Sequence, residues 1–168
     1  MRTMIPTLTT GRLILRPLRA EDWPAYRDFL ASERARYMGG PFALKLAWGM
    51  FCSDHALWDF HGCGALMIDE RDNGACIGQV GINAGPLFPE WELGWLLYSG
   101  AEGKGYAFEA ARALRDWACE ERRLNTLVSY VDPQNERSRR LAERLGGTLD
   151  EQAPRLDAID LVYRYFKI

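Results

Sequence analysis

Between Trp91 and Arg122 the chain reads as an apolar strand, a turn with three glycines in six residues, and a helix. Trp91 to Tyr98 supplies the strand and Gly100-Ala101-Glu102-Gly103-Lys104-Gly105 the turn. Ala107, Ala110, Ala111, Leu114, Trp117 and Ala118 then recur at helical spacing through about Arg122. This unit, with the elements around it, restricts the chain to a mixed sheet with helices packed on it, an α/β (α+β) fold.

Upstream, Arg12-Leu13-Ile14-Leu15-Arg16-Pro17 predicts a first strand stopped by its proline. Ala20-Glu21-Asp22-Trp23-Pro24 opens a helix that buries Tyr26, Phe29 and Leu30. Gly39-Gly40-Pro41 breaks the chain before a second helix from about Leu44 to Phe60. Ala65 to Ile68 and Cys76 to Ile82 predict a hairpin, with Asn73-Gly74 as its turn signal. Downstream, Leu124 to Val131 reads as a strand and Asn135 to Leu145 as a helix with Gly146 as its C-cap. Leu161 to Phe166 is the last strand.

No repeat, low-complexity tract or linker divides the 168 residues, so a single domain over 1–168 is expected. With 48% hydrophobic residues the chain can build a core, and a net charge of −2 argues against a nucleic-acid partner. No apolar run approaches the roughly 20 residues that span a bilayer. The start, Met1-Arg2-Thr3-Met4-Ile5-Pro6, lacks the apolar stretch of a signal peptide. A cytoplasmic protein without membrane attachment is expected. Cys52, Cys63, Cys76 and Cys119 are scattered. Cys52, His55, His61 and Cys63 match no familiar ligand spacing, so no metal is expected.

Gly103-Lys104-Gly105 lies where helix N-terminal amides can receive phosphate oxygens, and Lys104 adds positive charge. The same letters also serve as a plain turn whose glycines meet unusual backbone angles. A Walker loop fails, because Tyr98 stands where its first glycine must be and Gly105 follows Lys104. A dinucleotide fingerprint fails at Phe108, where it needs a third glycine. What remains is a phosphate cradle of another kind.

In order and spacing, a set of short motifs resembles the GNAT acetyltransferase superfamily, in particular its RimJ/RimL-like branch of ribosomal-protein N-terminal acetyltransferases. The motifs are Arg12 to Pro17, Glu21-Asp22, Ile77-Gly78-Gln79-Val80-Gly81, Glu92 to Leu97, Gly103-Lys104-Gly105-Tyr106-Ala107, Asn135-x-x-Ser138 and Arg144-Leu145-Gly146. The resemblance covers nearly the whole chain. It implies a mostly antiparallel central sheet with a splayed V between two strands, flanking helices, and acetyl-coenzyme A as cosubstrate. The pantetheine arm would lie in that V along Leu96, Leu97 and Tyr98. The pyrophosphate would meet Glu102, Gly103, Lys104, Gly105, Tyr106 and Ala107. Asn135 and Ser138 match positions that contact the cofactor arm or its thioester end. Three positions depart from the pattern. Gly100 stands where Gln or Arg is common, Phe108 where a small hydroxyl is common, and Ala142 where other members place a tyrosine acid.

Acetyl transfer to an amine needs a neutral amine, a polarised carbonyl and a protonated leaving thiolate. The resemblance makes Glu92 the candidate base, directly or through a water, and a backbone N–H near Leu97 the oxyanion donor. The alternative for Glu92 is a surface carboxylate in the Trp91-Glu92-Leu93 alternation. Ser138 is the candidate for protonating or binding the leaving sulfur, and with Asn135 it could instead simply cap a helix. The tryptophans read as core or groove walls, and Arg137 to Arg144 as a solvated helix face.

The branch implies a protein or peptide N-terminal amine as acceptor, in a pocket using the first two helices and the Gly85 to Glu90 turn. A small amine, aminoglycoside or polyamine, is the alternative enzymatic reading. A coenzyme A-binding sensor or interaction domain is the non-enzymatic one. The oligomer is open between monomer and homodimer.

Overall fold

A computed structural model describes residues 4–168. One sheet of eight strands runs β1 (Leu8–Thr9), β2 (Leu13–Arg16), β3 (Ala65–Glu70), β4 (Cys76–Asn83), β5 (Glu92–Leu97), β6 (Thr126–Val131), β8 (Leu161–Lys167), β7 (Thr148–Leu149) in spatial order. Every neighbouring pair is antiparallel except β5 and β6. Four α-helices flank it: α1 (Trp23–Leu30), α2 (Leu44–His61), α3 (Tyr106–Glu120) and α4 (Glu136–Arg144).

The two-residue strands β1 and β7 and the 3-10 turn at Glu33–Met38 are additions to the sequence expectation. Neither short strand is long enough to show an alternating pattern. They form because β2 and β8 present free edges to pair with. The expected start of the first helix is a 3-10 turn at Ala20–Asp22, with the α-helix proper beginning at Trp23. Arg16 fixes that entry by donating to both Asp22 oxygens at 2.9 and 2.8 Å and to Asp69 at 2.6 Å. Among the described residues no helix is long and apolar enough to cross a membrane.

The sheet separates two cores. Under α3 lie Leu13, Leu15, Leu66, Ile68, Val80, Leu93 and Leu127, packed against its own Leu114. On the opposite face, α1 and α2 close over Leu96 with Tyr26, Phe29, Leu30 and Phe51. Strand alternation therefore turns Leu93, Trp95 and Leu97 towards α3, and Leu96 and Tyr98 towards α1 and α2.

The position that matters for function is the parallel junction. β5 and β6 share one register pair, Glu92 opposite Val128, where the Val128 amide donates to the Trp91 carbonyl at 3.0 Å. One step on, the Ser129 hydroxyl donates to the Leu93 carbonyl at 2.5 Å in place of a backbone amide. A side chain has replaced the ladder there, and the strands part. Below the junction, Arg164 ties β8 to Glu90 with two contacts of 2.8 Å and to Thr126 at 2.7 Å, which fixes the closed end of the V.

Candidate active site

Beyond the junction, β5 has one edge bound to β4 and one edge open. The Tyr98 amide donates to the Ile77 carbonyl at 2.8 Å, so Leu96 and Tyr98 turn their backbone to β4. The alternate residues turn theirs to the open side. Leu93 and Leu97 carbonyls are taken there by the Ser129 hydroxyl and by the Arg34 guanidinium at 2.7 Å. The backbone groups of Trp95 and the amide of Leu97 thus face the cleft. Of the three residues expected to hold the cofactor arm, Leu97 has the backbone orientation for it.

The glycine turn leads from this edge to α3. Gly100, Gly103 and Gly105 have φ of +90°, +77° and +81°, a region in which a Cβ is strained. At Gly100 this explains the departure from the family pattern: the turn needs glycine, and the Gly100 amide bonds the Glu102 carboxylate at 2.8 Å. Gly105 caps α3 without any side-chain hydrogen bond, and the first helical bond runs from the Glu109 amide to the Gly105 carbonyl. The amides of Tyr106, Ala107 and Phe108 are consequently left without helical partners, beside exposed Gly103, Lys104 and Gly105. Fifteen residues of helix dipole add to that positive end. A pyrophosphate fits these donors.

Two arginines hold the turn. Arg12 donates to the Lys104 carbonyl at 2.8 Å and to Glu109 at 2.7 Å, with its guanidinium 4.5 Å from the centre of the Tyr106 ring. Arg34 pairs with Glu102 while holding Leu97. Hydrogen bonds from its own amide and that of Gly100, together with Arg34, keep the Glu102 carboxyl below the usual range. Its side chain thus braces the turn and leaves only backbone for a phosphate. The sequence reading did not single out Arg12 or Arg34 for this, because their contacts span 63 to 97 residues.

Glu92 sits on the other side of the junction. It is partly buried, and its Oε1 accepts the Asn83 amide at 2.9 Å. Burial pushes its carboxyl up to about 7, against the pull of Asn83 and the Tyr130 backbone amide. A carboxyl raised towards neutrality suits a group that takes up and releases a proton, and Glu92 is held by Asn83 and not free in solvent.

Asn135 caps α4, its Oδ1 accepting the Ser138 amide at 3.2 Å. The Ser138 hydroxyl accepts the Trp95 indole N–H at 3.2 Å across the V, which leaves its own proton free to donate. Ser138 thus lies beside the cleft, while Asn135 acts on it through the helix. Ala142 is buried against Val131 and Tyr163. The hydroxyls at the junction are those of buried Ser129 and partly buried Tyr165, 2.8 Å apart. Phe108 carries the Arg144 and Arg112 guanidiniums at 4.5 and 5.4 Å from its ring centre, so this departure replaces a hydroxyl with an aromatic platform.

Among the described residues no group of three or more His, Cys, Asp or Glu side chains could hold a metal ion. Two surface cavities of about 350 and 320 Å³ lie off the V. One is against Arg139 and Arg140 of α4, the other at Gly85, Phe88 and Trp91. Neither cavity contains Glu92, Ser138 or the glycine turn, and the second is lined by the Gly85 to Glu90 turn expected beside the acceptor.

The family model for an acetyltransferase (GNAT) domain matches residues 12–148. The chain belongs to the GNAT acetyltransferase family. A crystal structure of the acetyltransferase from Agrobacterium tumefaciens str. C58 is 65% identical, with a TM-score of 0.95, over 98% of this chain and 96% of that one. YkkB of Bacillus subtilis, an uncharacterized protein, is 32% identical over 88 residues, 51% of either chain. The chain thus spans about half the length of that relative. RimL, a ribosomal L7/L12 alpha-N-protein acetyltransferase in complex with coenzyme A, shares the fold at a TM-score of 0.74. It is 17% identical over 95% of this chain and 96% of that one. This GNAT chain is an acetyltransferase, and it has RimL among its structural neighbours. The family uses acetyl-coenzyme A, and the open β5 edge with the uncapped α3 N-terminus fits that molecule.

Proposed function

We propose that this chain transfers acetyl from acetyl-coenzyme A to a primary amine by direct attack, the acceptor being a protein or peptide N-terminus. The observation that carries this is the junction itself. Glu92, lifted to about 7, stands where β5 and β6 part, and the Leu97 amide faces the opening. Acetyl-coenzyme A supplies the activated acetyl group.

Glu92 accepts the proton of the attacking amine, directly or through a water. The Leu97 amide stabilises the oxyanion as the N–C bond forms. As the C–S bond breaks, Ser138, polarised by the Trp95 indole, donates its proton towards the thiolate. The serine then recovers a proton from solvent. A free α-amine has a pKa of about 8 against about 10.4 for lysine, so it needs far less help to become neutral. RimL's described action on an α-amine supports the same choice. A coenzyme A sensor without turnover has no use for a carboxylate held near neutrality.

Peptides with free and blocked N-termini, beside an aminoglycoside and a polyamine, decide the acceptor when mass spectrometry locates the acetyl group. Acetylation of the free α-amine ahead of internal lysine is expected. Acetylation of lysine alone, or of small amines alone, would overturn the N-terminal assignment.

A further inference from the structure

The face of the sheet that carries Glu92 holds a second carboxylate that the proposed chemistry does not use. Asp54, on α2, accepts the Tyr26 hydroxyl at 2.7 Å and the Gln79 side-chain amide at 3.2 Å, both on Oδ2. Oδ1 receives no hydrogen bond from the protein among the described residues. Solvent still reaches the side chain. No Lys, Arg or His forms an ion pair with it among the described residues. Tyr26 from α1, Gln79 from β4 and Tyr98, just past the end of β5, face it, none of them cationic. Burial raises its carboxyl to about 6, so at neutral pH it is still charged. A half-buried, ionised carboxylate with no cation beside it favours one.

Its position relative to Glu92 follows from the register. β4 and β5 pair Gln79 with Leu96, Gly81 with Gly94, and Asn83 with Glu92. Gln79 holds Asp54, and Asn83 holds Glu92. The residues that hold the two carboxylates are therefore four steps apart along β4, about 13 Å at the usual rise per residue. Between them the facing pair is glycine on both strands, so no side chain of either rises from the sheet. Beside Asp54, on the side of Leu96 and Tyr98, Tyr26 packs with Trp23 and Phe51, and Trp48 joins them with half its surface exposed.

We infer that Asp54 is an acceptor-binding residue, holding a second cationic group of the amine substrate on the order of 10 Å from the nitrogen that is acetylated. This rests on the proposed acetyl transfer with Glu92 as base, and it narrows the substrate class to primary amines bearing a further positive charge. One carboxylate cannot serve both ends of such a molecule at this separation. Glu92 works on the reacting amine and Asp54 anchors the distal charge. The chemistry is shared by a small polyamine and by a peptide with a basic side chain near its N-terminus.

The test compares α,ω-diamines of four to twelve carbons with n-alkylamines of matched length, at saturating acetyl-coenzyme A. A second arm compares free-N-terminus peptides carrying lysine or norleucine at the third residue. The diamine of about eight to ten carbons should show a KM on the order of tenfold below its monoamine. In Asp54→Asn, which keeps the shape and can still bond Tyr26 and Gln79, that ratio should collapse towards one. An ω-amino carboxylic acid should be a poorer substrate than the monoamine in the wild type, and less so in the variant. Thermal melting of Asp54→Asn verifies the fold. Preference confined to the lysine peptide assigns the second cation to a peptide side chain, and preference confined to diamines assigns it to a small polyamine. No preference in either arm, or a preference that survives Asp54→Asn, overturns the inference. If no amine is turned over, the proposed transfer fails instead. The same pairs are then compared by calorimetry on the coenzyme A complex, under the same criterion.

Discussion

The two sides of the β5–β6 junction are made of different material. On the cofactor side the groups that face a ligand belong to the backbone: the open edge of β5, the glycine turn and the first amides of α3. On the proposed acceptor side they are side chains, Glu92 and Asp54, delivered by separate elements and positioned by Asn83, Gln79 and Tyr26. Backbone donors are indifferent to most substitutions and sensitive to bulk. Side-chain carboxylates are the reverse, since an isosteric amide keeps their shape and removes their function. The contrast predicts which measured quantity each change moves.

The largest effect belongs to the acceptor side. Glu92→Gln should lower kcat by roughly 10²–10⁴-fold with acetyl-coenzyme A affinity retained. Because burial raises this carboxyl to about 7, the working base form gains population as pH rises through that value. Wild-type kcat should therefore climb from pH 6 to pH 8, and the variant should lose that climb. The same shift has a stability consequence of opposite sign. A carboxyl with a raised folded pKa is bound to a proton more tightly in the native state, so its ionisation weakens the fold as pH rises from about 4.5 to 7. Glu92→Gln should melt relatively higher than wild type at pH 8 than at pH 5. A pH–rate profile unchanged by the substitution would assign the base elsewhere and erase the contrast.

On the cofactor side, Gly105→Glu places bulk and negative charge on a residue at φ +81°, where an added Cβ comes 3.3 Å from the Arg12 guanidinium. Calorimetry should show acetyl-coenzyme A affinity falling on the order of 10²-fold, with circular dichroism unchanged. Gly103→Glu has open space around its Cβ and should act through charge and backbone strain alone, with a smaller loss. Lys104→Ala should cost less than either, because the amides remain. Ser138→Ala comes next, at roughly tenfold in kcat with little change in either KM. That loss should shrink with a thioester whose thiol is more acidic, since such a leaving group needs no proton.

The same contrast explains what could be read from the letters. The glycine turn and the helix after it are carried by residues close in sequence, and Gly100, Gly103 and Gly105 announce backbone angles that only the turn requires, whereas the V between β5 and β6 came only with the family resemblance. The resemblance to a known family supplied Glu92 and Ser138. Nothing local marks Asp54, one of two acids in α2, until the helix lays it over Gln79. Arg34 reads as one more charge in a short 3-10 segment and acquires a purpose only when it meets Leu97, 63 positions away. Ser129 is one polar letter in an apolar strand, yet its hydroxyl stands where the parallel ladder ends. Contacts that close over such distances have no periodicity for a sequence pattern to show.

Arg34 crosses the divide, and its substitution is the smallest effect and the sharpest test. It comes from the segment after α1, on the acceptor side, yet it grips the Leu97 carbonyl and Glu102 on the cofactor side. The ion pair with Glu102 is partly solvent-exposed, with 36% and 23% of the two side chains accessible, so it contributes only about 0.2–1 kcal/mol. The bond to the Leu97 carbonyl adds a charge-assisted contact at 2.7 Å. Together they predict a rise in acetyl-coenzyme A KM of roughly three- to tenfold for Arg34→Ala. Glu102→Gln should give part of that rise, and the double variant should fall short of the product of the two, because both act on one turn. Arg34→Lys keeps the charge but cannot reach both partners with a planar fork, so it should recover only the ion-pair share. If the effect is on KM for the amine and not for acetyl-coenzyme A, Arg34 belongs to the acceptor side. The backbone-built and side-chain-built halves would then be joined at the β5 edge and not separated there.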